Sequence, residues 1–132
     1  MAFDIIVLNI KDPLPQGYWG VTIMRPFPLS NPFYLKDIHD DEQRADSLAK
    51  FKTHLWRQMQ NPESVEMKSL ILLAQTANDI ALVCCCAPKP CHGNIVKAAV
   101  EYIRNNRNLI PAKWAPMVGH RKVNWDLAKI NR

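Results

Sequence analysis

Residues 80–94 read Ile-Ala-Leu-Val-Cys-Cys-Cys-Ala-Pro-Lys-Pro-Cys-His-Gly-Asn. The β-branched and cysteine-rich segment Ile80–Cys86 predicts a buried strand. The two prolines that follow indicate a rigid turn over Ala87–Pro90. Apolar residues then recur at helical spacing, which predicts a helix over residues 92–106. A strand that passes through a tight turn into a helix is typical of α/β domains.

The rest of the chain supplies the partners of this unit. Ile- and Val-rich residues 3–10 predict a second buried strand, and residues 18–24 a third, shorter one. Two helices are expected before Ile80, over residues 41–60 and 62–77. This order of elements predicts a small single α/β domain, Rossmann-like, in a three-layer or two-layer arrangement with a short, mostly parallel sheet.

The two central helices carry recognisable start signals. Asp40 with Gln43 resembles a capping box, and Asn61 followed by Pro62 favours a second helix start. The buried stripe of the first helix is expected at helical spacing. It comprises Leu48, Phe51, Leu55 and Met59.

The net charge of +5 on 132 residues is unevenly distributed. Residues 1–103 carry ten Lys/Arg and eleven Asp/Glu, whereas residues 104–132 carry seven Lys/Arg and one acidic residue. We therefore expect an α/β domain over residues 1–106 that contains the Cys/His site, and a basic extension over residues 107–132 that contains Trp114 and Trp125. Two roles stay open for the basic end: its tryptophans pack back onto the domain, or residues 104–132 bind nucleic acid.

The N-terminus has no basic leader, and no apolar run is long enough to cross a membrane. We therefore expect a cytoplasmic protein, in a bacterial cell or a phage-infected host, without a membrane partner. Crowded cysteines in such a compartment indicate a site or a packed interior rather than a disulfide framework. The sequence does not indicate the oligomeric state.

Alternation along a strand places Cys84 and Cys86 on one face. Cys91 and His92 would lie at the N-terminus of the next helix, where the positive end of the dipole makes a thiol more reactive. Backbone N–H groups there can also hold a phosphate, and Gly93 would let a ligand approach closely. One interpretation is therefore a catalytic or ligand-binding cluster.

Two other interpretations of the cysteines stay open. They can serve as small apolar side chains in a tight core, which is the expectation for Cys85. No cofactor is predicted, but zinc is an alternative because four thiol and imidazole ligands lie close together in the sequence. That set would be Cys84, Cys86, Cys91 and His92.

A second informative segment is Arg25–Phe33, which contains three prolines and is expected to be an ordered loop. The planar guanidinium of Arg25 can form two hydrogen bonds to a phosphate or carboxylate, and the side-chain amide of Asn31 can both donate and accept hydrogen bonds. The alternative is that Pro32 and Phe33 fill the core while Arg25 is solvated. We expect this loop to pack beside the Cys91 helix start and to form one pocket with it.

Together, these two segments resemble the domain-of-unknown-function family numbered 4326, whose members occur in bacteria and many bacteriophages. Its pattern is an Arg, then Pro-Leu-Gly-Asn-Pro-Phe, and later Cys-Trp-Cys-Ala-Pro-x-x-Cys-His-Gly-Asp. Three positions differ here: Ser30 replaces a glycine, Cys85 replaces the tryptophan, and Asn94 replaces an aspartate. Asn94 can hydrogen-bond but cannot act as a carboxylate base. A second uncharacterised family of small α/β proteins shares the Cys-to-His segment but has a glutamate where Cys86 stands.

The resemblance implies an α/β fold and a site at these positions, without an established reaction. Our leading functional hypothesis is a small enzyme of the transfer or hydrolysis type with a pocket for a phosphate-bearing, nucleotide-like or nucleoside-like ligand. Cys91 and His92 would be catalytic; the ligand-binding residues would be Arg25, Asn31, Cys84, Cys86, Gly93 and Asn94. The alternative is a non-enzymatic binding module, either zinc-stabilised or engaging nucleic acid or a host protein through the basic tail.

Overall fold

The computed structural model describes residues 3–33, 35, 37, 39–85, 87 and 89–110. Within them the chain forms three strands, three α-helices and one 3-10 turn. In chain order these are β1 (Ile5–Asn9), β2 (Tyr18–Thr22), α1 (Asp41–Met59), α2 (Val65–Ala74), β3 (Asp79–Cys84), α3 (His92–Asn105) and the 3-10 turn Arg107–Leu109.

The described strands form a parallel sheet in the order β1-β3-β2. In this register, Ile5 and Trp19 flank Ile80 from either side. The small, mostly parallel α/β domain is therefore confirmed. Because the strands are parallel, their carboxyl ends meet at one edge of the sheet, where ligands of α/β proteins commonly bind.

The helices share a core with one face of this sheet. Ile80, Leu82 and Cys84 alternate along β3, are fully buried, and belong to the same core cluster as buried residues of all three helices. On the opposite face Ala81 is buried and Val83 is half-buried, and the side chain of Leu14, in the β1–β2 connection, lies near Gly20. Among the described residues, this is a two-layer arrangement.

Helix α1 begins where expected, and its buried stripe is confirmed at Phe51 and Leu55 but extends toward the start of the helix. Asp40 caps it, accepting from the backbone N–H groups of Glu42 and Gln43. The Gln43 side chain accepts from the N–H of Asp37, so the reciprocal bond of a capping box is not made. The fully buried residues of α1 are Arg44, Ser47, Phe51 and Leu55, whereas the expected Leu48 and Met59 are half-buried.

The predicted start of α2 was wrong by one turn. Asn61 accepts from the N–H of Glu63 in a local turn, and Ser64 is the N-cap, accepting from the N–H of Met67. Ser64 is a better cap here than Asn61, because its hydroxyl accepts one hydrogen bond from α2 and donates another to the carbonyl of Gln58 at the end of α1.

The basic end is described only to Ile110, where the 3-10 turn Arg107–Leu109 follows α3. Trp114, Trp125 and the remainder of residues 111–132 lie outside the described residues, so both predicted roles of this segment stay predictions. None of the described helices is long and apolar enough to cross a membrane.

Candidate functional site

The turn from β3 into α3 places two thiols in the interior of the molecule. Cys84 is the last residue of β3, and Cys91 is the N-cap of α3 with an extended backbone (φ −145°, ψ 169°). The backbone N–H of Gly93 donates to Cys91 Sγ over 3.3 Å. A cysteine sulfur therefore takes the place that an oxygen takes in most N-caps.

The sulfurs of Cys84 and Cys91 lie 3.4 Å apart, and these residues are 0% and 2% exposed. Neither forms a disulfide. Cys85 is exposed, so the expectation that it packs in the core was wrong: Cys84 faces the core, and the residue after it lies on the opposite side, just beyond the end of the strand. Cys86, a predicted ligand residue, lies outside the described residues.

His92, the first residue of α3, points inward and is 8% exposed. Its Nε2 lies 2.7 Å from the carbonyl oxygen of Ile23, just beyond β2. Since a carbonyl only accepts, Nε2 carries the proton, and the neutral ring leaves Nδ1 as the basic atom. Burial lowers the pKa of His92; the carbonyl bond opposes this shift, and the charge of Arg25 adds to it.

Gly93 is explained by packing rather than by ligand approach. A Cβ at this position would lie 2.8 Å from Val7 Cγ1, 3.1 Å from Ile23 Cδ1 and 3.2 Å from Cys91 Sγ. The space that was expected to admit a ligand is therefore filled by side chains of the sheet. The glycine lets the first turn of α3 lie directly on β1 and on the residue that follows β2.

Hydrogen bonds within the Arg25–Phe33 loop and to α1 hold this proline-rich segment. Arg25 Nη2 donates to the carbonyl of Asn31 over 2.8 Å. The Asn31 amide donates to Ser47 Oγ over 2.9 Å and accepts from the N–H of Phe33 over 2.8 Å. Asn31 thus joins the loop to α1, while Arg25 remains exposed.

Helix α1 connects this loop with the start of α3. Ser47 binds Asn31, and four residues later the Phe51 ring packs edge-on against the ring of His92 at 5.2 Å. One turn earlier, the buried Arg44 donates to the carbonyl of Pro90 over 3.2 Å. One face of α1 therefore contacts both the loop and the segment around the start of α3, whereas a single pocket formed by the two stays a prediction.

Sequence reasoning missed these positioning residues. Arg44 and Ser47 lie on the same helical stripe as Phe51, but the periodicity of apolar residues does not mark polar residues as part of a buried stripe. Asn9 was also missed: at the end of β1, its side chain donates to the carbonyl of Ala87 over 2.7 Å and so holds the turn after β3. Its only sequence signal is a polar residue at the end of an apolar strand.

The remaining predicted residue, Asn94, is exposed in the first turn of α3. Within the described part of the chain, no three His, Cys, Asp or Glu side chains are grouped so that they could hold a metal ion. Cys86, which belongs to the zinc alternative, is outside that part.

A separate surface groove of about 510 Å³ runs along the other side of α1. None of the predicted site residues lines it. Its walls are Phe33, Ala49, Lys50, Thr53, His54, Arg57 and Gln58.

A family model matches residues 11–102, more than half of the chain, and is described as Domain of unknown function (DUF4326). The chain belongs to this family. Both segments that carried the resemblance, Arg25–Phe33 and Cys84–Asn94, lie within the matched part of this DUF4326 protein, whereas β1 precedes it. No curated protein and no solved structure matches the chain.

Proposed function

We propose that this DUF4326 protein is a small thiol enzyme that acts by transfer or hydrolysis on a phosphate-bearing, nucleotide-like or nucleoside-like ligand. Cys91 is the reacting group. The single observation that carries the proposal is the bond from the Gly93 N–H to Cys91 Sγ at the start of the 14-residue helix α3. A backbone donor and the positive helix end both stabilise a thiolate, which is the nucleophilic form of cysteine.

The surroundings of Cys91 support this role. The thiol of Cys84 lies 3.4 Å away; because Cys91 Sγ already accepts from Gly93, Cys84 is the better placed donor in this contact. A second donor further favours negative charge on Cys91. The thiol also lies at the carboxyl edge of a parallel sheet, where α/β proteins place ligands.

Arg25 supplies a positive charge near this edge. Its guanidinium is exposed and donates a hydrogen bond to the carbonyl of Asn31. Burial is the main cause of the lowered pKa of His92, and the charge of Arg25 makes a smaller contribution in the same direction. A guanidinium suits the geometry of a phosphate group. We assign Arg25 to ligand binding and Asn31 to holding the loop that carries it.

His92 acts mainly as a positioning residue in this proposal. Its Nε2–H is engaged by Ile23, so any exchange of protons with a ligand runs through Nδ1. Its burial and its contact with Phe51 fix the first turn of α3 and thereby the place of Cys91.

The test is turnover of a panel of nucleoside monophosphates and triphosphates by the full chain, followed by chromatography of products and by intact mass for covalent adducts. We expect Cys91→Ser to lower kcat/KM by about 10³-fold or more, as removal of a nucleophile does. Cys85→Ser, at the neighbouring exposed thiol, is the matched control and should leave turnover unchanged.

The ligand-binding role of Arg25 has its own control. Arg25→Ala should raise KM more than it lowers kcat, whereas Lys89→Ala, which removes an exposed cation from the β3–α3 turn, should change neither. Turnover by Cys91→Ser at the wild-type rate would overturn the proposal. So would the absence of both turnover and adducts across the whole panel.

A further inference from the structure

We infer that Cys84 and Cys91 form a reactive dithiol that a peroxide oxidises to an intramolecular disulfide. This is a modification site, distinct from the proposed turnover of a ligand. It starts from the 3.4 Å separation of two sulfurs in a buried environment where neither forms a disulfide.

The backbone around the pair is held in place from both sides. Asn9 binds the carbonyl of Ala87, and Arg44 binds the carbonyl of Pro90, within the short connection between the two cysteines. Cys84 is the last residue of the central strand and Cys91 is the N-cap of α3, so each cysteine adjoins or belongs to a regular element. To reach a bonded distance of about 2.05 Å, the sulfurs must approach by a little over an ångström, which side-chain rotation can supply.

The hydrogen bonds indicate which of the two sulfurs reacts first with the peroxide. Cys91 Sγ accepts a hydrogen bond from the Gly93 N–H, which stabilises negative charge on Cys91. Either sulfur can donate in the Cys84–Cys91 contact, and on the strength of the Gly93 bond we assign the retained proton to Cys84. Cys91 is therefore the sulfur that attacks first, and Cys84 is the sulfur that resolves the product.

The chemistry balances with hydrogen peroxide as the oxidant. The Cys91 thiolate attacks one peroxide oxygen; the S–O bond forms, the O–O bond breaks, and hydroxide leaves and takes up a proton as water. The Cys84 sulfur then attacks the sulfenic sulfur of Cys91. The S–S bond forms, the S–O bond breaks, and the Cys84 proton leaves with the oxygen as a second water. The two thiols lose two electrons in total, which the peroxide gains.

A disulfide at this place would block the thiol to which we assign the reaction, so oxidation would switch that activity off reversibly. This consequence rests on the proposed function. The formation of the disulfide does not, because it requires no ligand and is measured on the protein alone.

The experiment treats the full chain with hydrogen peroxide in the presence of a metal chelator and measures intact mass and thiols titrated in denaturant. We expect a mass loss of two hydrogen atoms per monomer, and a fall in free thiols from four to two, both reversed by dithiothreitol. The double variant Cys85→Ser/Cys86→Ser retains only the inferred pair and should behave identically in mass. Circular dichroism of this variant checks that it folds.

Substituting each cysteine in turn distinguishes the sulfur that attacks the peroxide from the sulfur that resolves the sulfenic acid. In Cys84→Ser, no intramolecular disulfide should form, and dimedone should trap a sulfenic acid on Cys91. In Cys91→Ser, dimedone trapping should be lost. Retention of all four thiols by the wild-type chain, or a disulfide that includes Cys85, would overturn the inference. Absence of turnover and of adducts when the reduced chain is tested with the ligand panel, together with normal disulfide formation, would instead refute only the proposed function.

Discussion

The β3–α3 turn and the Arg25–Phe33 loop lie near the same edge of the sheet, but different kinds of contact hold them. The turn depends on distant residues: Asn9 reaches Ala87 across 78 positions, and Arg44 reaches Pro90 across 46. The loop depends on nearer residues: Arg25 is bound to Asn31 six positions away, Asn31 to Phe33 two positions away, and Asn31 to Ser47 of α1 sixteen positions away.

The two regions are therefore held in their conformations by different means. A loop with three prolines loses little conformational entropy on folding, so a few local bonds are enough to order it. The turn presents buried thiols and a buried imidazole, and these groups stay in position only because the sheet and α1 pack around them. Substitutions in the turn should therefore cost more stability than substitutions in the loop.

The largest effect is expected for His92→Ala. It removes the bond to Ile23, the packing against Phe51 and most of a buried ring, for a loss of about 3 kcal/mol in the free energy of unfolding. Urea denaturation measures it. His39→Ala, at an exposed histidine, should change little. A loss below that of the loop variant described below would contradict the comparison.

Gly93→Ala should have the next largest effect. The added methyl would lie 2.8 Å from Val7 Cγ1, closer than stable contacts allow, and the strain should exceed the gain in helix propensity by about 1–2 kcal/mol. Gly20→Ala is the matched control, because its nearest neighbours lie at 3.7 Å. Equal denaturation midpoints for the two variants would show that the first turn of α3 can move away from the sheet.

Asn31→Ala tests the loop. It removes the bonds to Ser47 and to the N–H of Phe33, and we expect a loss of about 1 kcal/mol, since the prolines still restrict the loop. Asn94→Ala replaces an exposed asparagine of the turn and should be close to neutral. If Asn31→Ala were as costly as His92→Ala in thermal or urea denaturation, the loop would depend on its tertiary contacts as strongly as the turn does.

The smallest effect is a dependence of stability on pH. The pKa of His92 is below its ordinary value of 6.5 in the folded protein, so the unfolded chain binds a proton first as the pH falls. The contribution is therefore fully present above pH 6.5 and is lost as the pH falls toward the folded pKa. Subtracting the profile of His92→Gln, which retains a side-chain N–H, isolates this histidine. A difference profile that is flat would contradict the buried neutral ring.

Local patterns predicted much of the fold. The three described strands and α3 lie within or close to the predicted segments, since runs of β-branched residues, prolines at turns and helical periodicity act over short distances. The start of α2 was misjudged because both Asn61 and Ser64 can cap a helix. What favours Ser64 is its hydroxyl bond to the end of α1, which is a tertiary contact.

The candidate site was predicted in position but not in detail. The N-terminal place of Cys91 follows from the turn, and this residue lies within the part of the chain that the family model matches. The bond of His92 to Ile23 joins residues 69 positions apart, and no local signal announces it. The same holds for Gly93, whose role depends on side chains of β1 and of the residue following β2.

The sequence by itself determined the order of the elements, the stiff loop after β2 and the presence of thiols where a strand turns into a helix. These features depend on residues close together in the chain, whose conformational preferences act before the chain is compact. Only the tertiary structure decided that Cys84 meets Cys91, that Cys85 faces outward and that His92 is buried and bonded. Those outcomes depend on where β1, β2 and α1 pack, because burial and hydrogen bonding over such separations exist only once the sheet and helices have assembled.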